Sequence, residues 1–181
     1  MNEASWFANS NPLEWLSILR RRFTRRKLRL FLVACLRPAD GQSADERWQP
    51  LIEASDRFEK GNLSAEEHEK VWSELGHLHE AVLAGQLVMA PESAAVVRDL
   101  FANALQPMAL EPDWLSWNNG AVPAIARRIH VENSCGDLPI LADALEEAGC
   151  TSEAILAHAR GPGPHYRGCW LLDLILERDE S

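Results

Sequence analysis

The chain has 181 residues, 46% hydrophobic and 25% charged, which suits one domain with a sizeable core or two small ones and excludes a disordered chain. Its charge is polarised: residues 1–37 hold 8 Lys/Arg against 2 Asp/Glu, and residues 38–181 hold 10 against 25. So acidic a body excludes nucleic-acid binding over a broad positive surface, and only the first segment can supply one.

Asn11-Pro12 reads as an N-cap followed by proline at the first helical position, with Leu13, Leu16 and Leu19 on one face of a short helix. Thr24 caps the next, where Leu28, Phe31, Leu32, Cys35 and Leu36 recur at helical spacing; this predicts an inward apolar stripe with the basic residues outside, ending before Pro38. Ser43 with Asp45 and Glu46 opens a helix running to about Phe58, and Lys60-Gly61-Asn62 ends it. Ser64-Ala65-Glu66-Glu67 is a capping box, from which a long helix runs to about Ala84 with Val71, Leu75, Leu78 and Val82 inward. Pro91 starts another, carrying Val96, Val97, Leu100, Phe101 and Leu105.

Residues 106–120 are the least regular, with Pro107, Pro112, Trp114, Trp117 and the turn Asn118-Asn119-Gly120, and read as a long loop with one helical turn. A helix resumes over Val122 to Val131. Asp137 caps Leu138 to Ala148, Gly149 closes that helix, and Thr151 or Ser152 caps a short one to Ala159. The turn Arg160-Gly161-Pro162-Gly163-Pro164-His165 leads into a last apolar helix. No β-branched run alternates with period two, so the sequence predicts an all-α bundle of about eight to nine helices without significant sheet. It reads as a single helical domain over 1–181, with a subdivision into 1–105 and 106–181 allowed.

Cys35, Cys135, Cys150 and Cys169 are widely spaced, with no Cys-x-x-Cys pair, which points to reduced thiols in a cytoplasm. Arg20-Arg21-Arg22-Phe23 has the look of a twin-arginine signal and Leu32-Val33-Ala34-Cys35 that of a lipoprotein cleavage box. Arg25, Arg26, Lys27 and Arg29 lie between them, however, leaving only Leu30 to Ala34 uninterrupted, short of the roughly 7–15 residues a signal core needs. The expectation is a cytoplasmic protein without a membrane span.

Three stretches carry a resemblance: the opening Trp15-Leu16 with Leu19-Arg20; Arg26-Lys27-Leu28-Arg29-Leu30-Phe31; and the closing run from Leu138-Pro139-Ile140-Leu141 to Gly149-Cys150, then His158-Ala159-Arg160-Gly161-Pro162-Gly163-Pro164-His165 and Arg167-Gly168-Cys169-Trp170. At both ends the chain resembles an uncharacterised paralogous family of bacterial proteins found mainly in planctomycetes. The resemblance implies a bacterial cytosolic origin and no particular activity. Paired cysteines tend to follow the Phe in that family, whereas Leu32-Val33-Ala34-Cys35 leaves one here, which weakens any metal site built on those positions.

If the last helix starts at the turn, His165, Cys169, Asp173 and Glu177 share one stripe at spacings of four. His165 with Cys169 is half of a zinc site that Cys150 with His158 or Cys135 would complete, although the spacing matches no common zinc module. Alternatively His165 lowers the pKa of Cys169 to make a thiolate nucleophile, without a separate oxyanion hole in view. The plain alternative is that Trp170, Leu171, Leu174 and Ile175 form a buried face, His165 flanks the helix start and Cys169 is inert packing. Asp173, if buried, needs Arg160 or Arg167 as partner.

Arg160, His165 and Arg167 also suit an anion, but the Gly-Pro-Gly-Pro turn is no phosphate loop, because its prolines lack amide donors. Seven basic residues between Arg20 and Arg29, Arg25 and Arg26 among them, suit nucleic acid, an anionic surface or an acidic partner, against the alternative of a solvated face. Trp114 and Trp117 suit a partner groove or core filling. His77 and His79, two apart, point to different sides of their helix. In the absence of a credible catalytic set, the sequence reading is a non-enzymatic protein-interaction or adaptor module. Its alternatives are a zinc- or thiol-dependent site around His165 and Cys169 and nucleic-acid binding through Arg20 to Arg29; the apolar C-terminal helix also allows a homodimer.

Overall fold

A computed structural model describes residues 24–36, 49–83, 93–105 and 107–178. They form helices α1 (Arg25–Leu36), α2 (Gln49–Glu59), α3 (Ala65–Leu83), α4 (Ser93–Leu105), α5 (Pro112–Glu132), α6 (Leu138–Glu147), α7 (Glu153–Arg160) and α8 (Trp170–Ile175), with a 3-10 turn at Cys135–Asp137 and no strand among the described residues. The fold is all-α, as the periodicity predicts. No described helix is long and apolar enough to cross a membrane. The helix expected at Asn11, the onsets at Ser43 and Pro91, and Arg20 to Arg22 lie outside the described residues.

The chain divides into two compact units, Met1–Arg98 and Asp99–Ser181, with the division inside α4. In the first, α1 packs on α2 and α3, and α2 on α3. Thr24 caps α1 through its side-chain oxygen, which accepts the Lys27 amide at 3.2 Å. The capping box forms as read: the Glu67 amide donates to Ser64 Oγ at 3.3 Å and the Ser64 amide to Glu67 Oε2 at 3.0 Å.

The basic face of α1 does not behave as expected. Leu30, Phe31, Leu32, Val33 and Ala34 are buried, but so are Arg26, Lys27 and Arg29. Glu59, at the end of α2, engages both arginines. Its carboxylate accepts Arg26 Nε at 3.0 Å and Nη2 at 2.8 Å, and it also pairs with Arg29, whose guanidinium lies 3.7 Å above the Phe58 ring. Two cations around one carboxylate offset a desolvation that neither pair member survives alone. Arg26 is therefore committed inside this unit and is no surface contact residue, while the Arg25 side chain lies outside the described residues.

The second unit packs α5 on α6 and α8, and α6 on α7. Its core joins Val122, Ala126 and Ile129 of α5, Leu138, Leu141 and Leu145 of α6, Ile155 and Ala159 of α7, and Cys169, Trp170, Leu171 and Ile175. The helical turn and the Asn118-Asn119-Gly120 turn read from sequence are both present: α5 is two helical segments joined by non-helical backbone at Trp117 and by left-handed Asn118, Asn119 and Gly120 (φ 47°, 58° and 80°). Asparagine and glycine tolerate this conformation best. Trp114 and Trp117 are half-buried against the core and serve packing. Gly149, at φ 95°, ends α6, and the Cys150 amide bonds back to the Leu145 carbonyl at 2.9 Å.

Glu59→Ala leaves two buried guanidinium groups without their carboxylate and is expected to destabilise the first unit by about 3–5 kcal/mol. Arg57→Ala, which removes a half-exposed pair with Glu67, changes stability by less than about 1 kcal/mol. Denaturant melts of both variants check the contrast, and equal losses contradict it.

Candidate metal centre

The turn after α7 decides where the chemistry gathers. Pro162 and Pro164 have no amide to donate, and Gly163 takes φ 77°, where a Cβ would lie 3.2 Å from the His165 nitrogen. Backbone bonding in this stretch is sparse: the Gly161 amide reaches the His158 carbonyl at 3.2 Å and the Cys169 amide the Tyr166 carbonyl at 3.0 Å. Side chains do the rest. Helix α8 starts only at Trp170, with Cys169 as its N-cap, so His165 lies before the helix and Glu177 beyond its end. The helical stripe of His165, Cys169, Asp173 and Glu177 does not exist.

His165 and Cys169 nevertheless meet, around two other residues. Asp99 stands on α4 beside Val96, Val97, Leu100 and Phe101 and is buried with them. His158 lies in the last turn of α7, next to buried Ala159. His165 Nδ1 is 2.8 Å from Asp99 Oδ1, His158 Nε2 is 3.5 Å from the same oxygen, and His158 Nε2 is 3.1 Å from Cys169 Sγ. The two imidazoles meet edge to face at 4.9 Å, and the Trp170 ring covers His158 at 4.7 Å. One donor atom from each of Asp99, His158, His165 and Cys169 lies within 4.8 Å of the other three.

The cluster is dry. The Asp99 side chain is 3% exposed, His165 11% and His158 18%, and Cys169 is fully buried. The second Asp99 oxygen accepts the Tyr166 amide at 2.7 Å, which fixes the carboxylate's rotation and leaves Oδ1 to the histidines. Burial pushes the His158 pKa down to about 4 against the pull of Asp99, so this ring is neutral. Burial opposes protonation of His165 too, but the direct hydrogen bond and charge of Asp99 prevail and its pKa rises. Burial, then the Asp99 charge, raises the Cys169 thiol well above its usual range, and the same causes bring Cys135 to about 11. Neither thiol is a nucleophile in this state.

The other residues singled out in the sequence lie elsewhere. Cys150 is buried and lines, with Glu146, Glu153, Leu156 and Arg160, an open groove of about 500 Å³ that contains none of the four cluster residues. Arg160 is bound to Asp143 at 2.9 Å and Glu146 at 2.6 Å, so it is not the partner of Asp173, which is fully buried in α8. Arg167 is half-buried near Cys135, whose thiol its charge favours in the ionised form. Asp99 escaped the sequence reading, although one signal was there: it falls three residues after Val96, on an otherwise apolar helix face.

Comparison with models of protein families, with curated proteins and with solved structures finds no match to this chain.

In chelator-treated protein, histidine NMR titrations are expected to place His158 near pH 4 and His165 above the ordinary value of 6.5. Asp99→Asn should bring His165 down; an unchanged His165 contradicts the contact. The two rings act on stability in opposite directions. The unfolded chain binds a proton at position 158 that the native one refuses, so stability falls as pH drops from 6.5 toward 4. The contribution of His165 is present below 6.5 and is lost as pH rises through its raised native value.

Proposed function

We propose that the second unit is a metal-binding module with Asp99, His158, His165 and Cys169 as its ligands. The observation that carries this reading is the convergence of their four donor atoms within 4.8 Å in a buried site. Tetrahedral zinc, with bonds of roughly 2.0–2.3 Å, sets its ligand atoms about 3.3–3.7 Å apart. Three of the cluster's separations are 2.8, 3.1 and 3.5 Å and all lie within 4.8 Å, so binding asks some pairs to open and others to close by up to about 1 Å. A thiolate and a carboxylate also neutralise a divalent ion, so the loaded site would bury no net charge.

The chemistry of the donors favours zinc over harder ions. Calcium and magnesium take oxygen ligands, whereas sulfur and imidazole nitrogen suit zinc and its transition-metal neighbours. His158 is held neutral and thus ready to ligate. Cys169 would lose its proton on binding, which makes uptake pH-dependent. The thiol-nucleophile alternative is disfavoured by the full burial of Cys169 and its raised thiol pKa. We place the module in a bacterial cytoplasm, where Cys169 stays reduced.

A protein partner is the second reading, and the exposure of Val131 (56%) and Ile140 (49%) on α5 and α6 speaks for it. If Val131→Asp and Ile140→Asp together leave every co-purifying partner bound, that role is rejected. The metal reading predicts one equivalent of zinc per chain after reconstitution of the stripped protein and gel filtration, by elemental analysis. Cys169→Ala or His158→Ala should lower zinc affinity at least about tenfold, while Cys150→Ser retains it. Substoichiometric zinc in the wild-type protein refutes the site.

A further inference from the structure

The inference drawn here rests on the metal reading and assigns the ion its role. We infer that Asp99, His158, His165 and Cys169 form a closed, structural zinc(II) site that fastens segment 161–169 to α4 and α7, and that no coordination position is left for a substrate.

Three observations lead there. The first is the number and burial of the donors. Catalytic zinc keeps three protein ligands and an open position for water, whereas structural zinc is saturated by four. Here four side chains converge, none more than 18% exposed, with the Trp170 ring across His158. The second is the outer contact of Asp99. Its Oδ2 is engaged by the Tyr166 amide, so the carboxylate offers the ion one oxygen and spends the other on the backbone of the segment being fastened. The ligand and the structure it holds are thereby one unit.

The third is how segment 161–169 is held. Pro162, Gly163 and Pro164 are exposed, two of these three residues have no amide hydrogen, and the cluster supplies side-chain links from the segment to α4 and α7: His165 and Tyr166 to Asp99, Cys169 to His158. Without an ion, the side-chain link from Cys169 to α7 is the 3.1 Å contact between its Sγ and His158 Nε2, and a thiol is a weak hydrogen-bonding group. With zinc bound, the thiolate, the carboxylate and both imidazoles share one centre. The ligands come from α4, from α7 and from the chain entering α8, so a single ion ties two neighbouring stretches to a helix 66 residues before His165. Closing such loops is where a metal clip stabilises most.

The experiment uses the full chain, stripped by a chelator and reloaded with zinc or with cobalt(II) as a spectroscopic stand-in. Uptake of one equivalent with a tetrahedral, thiolate-bearing cobalt spectrum tests the metal reading itself, and failure at this step overturns that reading and the inference together. Given uptake, excess azide should leave the cobalt spectrum unchanged; a shift reveals an open position and overturns the closed site while leaving the metal reading intact. Stripping should lower the thermal midpoint by about 10 °C or more. It should also cut amide hydrogen-exchange protection at Tyr166 and Cys169 at least tenfold, with protection in α1 unchanged. Equal protection with and without zinc, in protein that does bind it, overturns the fastening role. Because Cys169→Ser or Asp99→Asn can fail to fold, these measurements on the wild-type chain carry the test, with Cys150→Ser as the control that keeps all three properties.

Discussion

A single buried carboxylate organises the second unit. Asp99 projects from an apolar helix face into a region where an isolated charge is unsustainable, so everything around it has to supply donors. It receives them from His165 at 2.8 Å and the Tyr166 amide at 2.7 Å, with His158 at 3.5 Å. The difference in distance separates the two histidines. Direct hydrogen bonding to Asp99 outweighs the burial of His165, whereas His158, farther off and pressed against Trp170, yields to burial and is neutral. Beside one acidic side chain, two rings whose centroids are 4.9 Å apart therefore shift in opposite directions.

What the sequence made legible was the part of the structure governed by neighbours in the chain. Thr24, Ser64 with Glu67, and Gly149 form the caps and stops that their residue types announce, because a cap is closed by atoms three to five residues away. Helical spacing likewise located Leu138, Leu141 and Leu145 in the core. Failure came where the partner was distant. Arg26 and Arg29 looked like a solvated basic face because nothing local shows that Glu59, some thirty residues on, is buried against them.

The cluster shows the same division at closer range. His165 and Cys169 were singled out on a helical spacing that the prolines and glycines of the turn do not permit; they meet because Cys169 caps α8 while His165 is held from outside by Asp99. His158 entered as a possible completion of the zinc set and takes that place in the geometry, whereas Cys150, offered with it, faces another groove. Asp99 was hidden by its surroundings. A carboxylate beside four apolar residues passes for the polar edge of an amphipathic helix unless the three-residue step from Val96 is taken to put it inside.

The two units solve the same electrostatic problem with different chemistry, and the difference explains why only one of them is a candidate site. In the first, Glu59 is balanced by Arg26 and Arg29, whose guanidinium groups stay protonated at any physiological pH and offer no lone pair. That arrangement stays charged at any physiological pH and disfavours a further cation. In the second, Asp99 is surrounded by groups that exchange protons: an imidazole whose protonation Asp99 favours, a neutral imidazole and a thiol. Each of these three exposes a lone pair once its proton is absent or surrendered, and a divalent ion would supply the positive charge that Asp99 draws. A buried carboxylate surrounded by arginines is a structural pair and nothing more, whereas one surrounded by histidines and a cysteine is half-way to a coordination sphere.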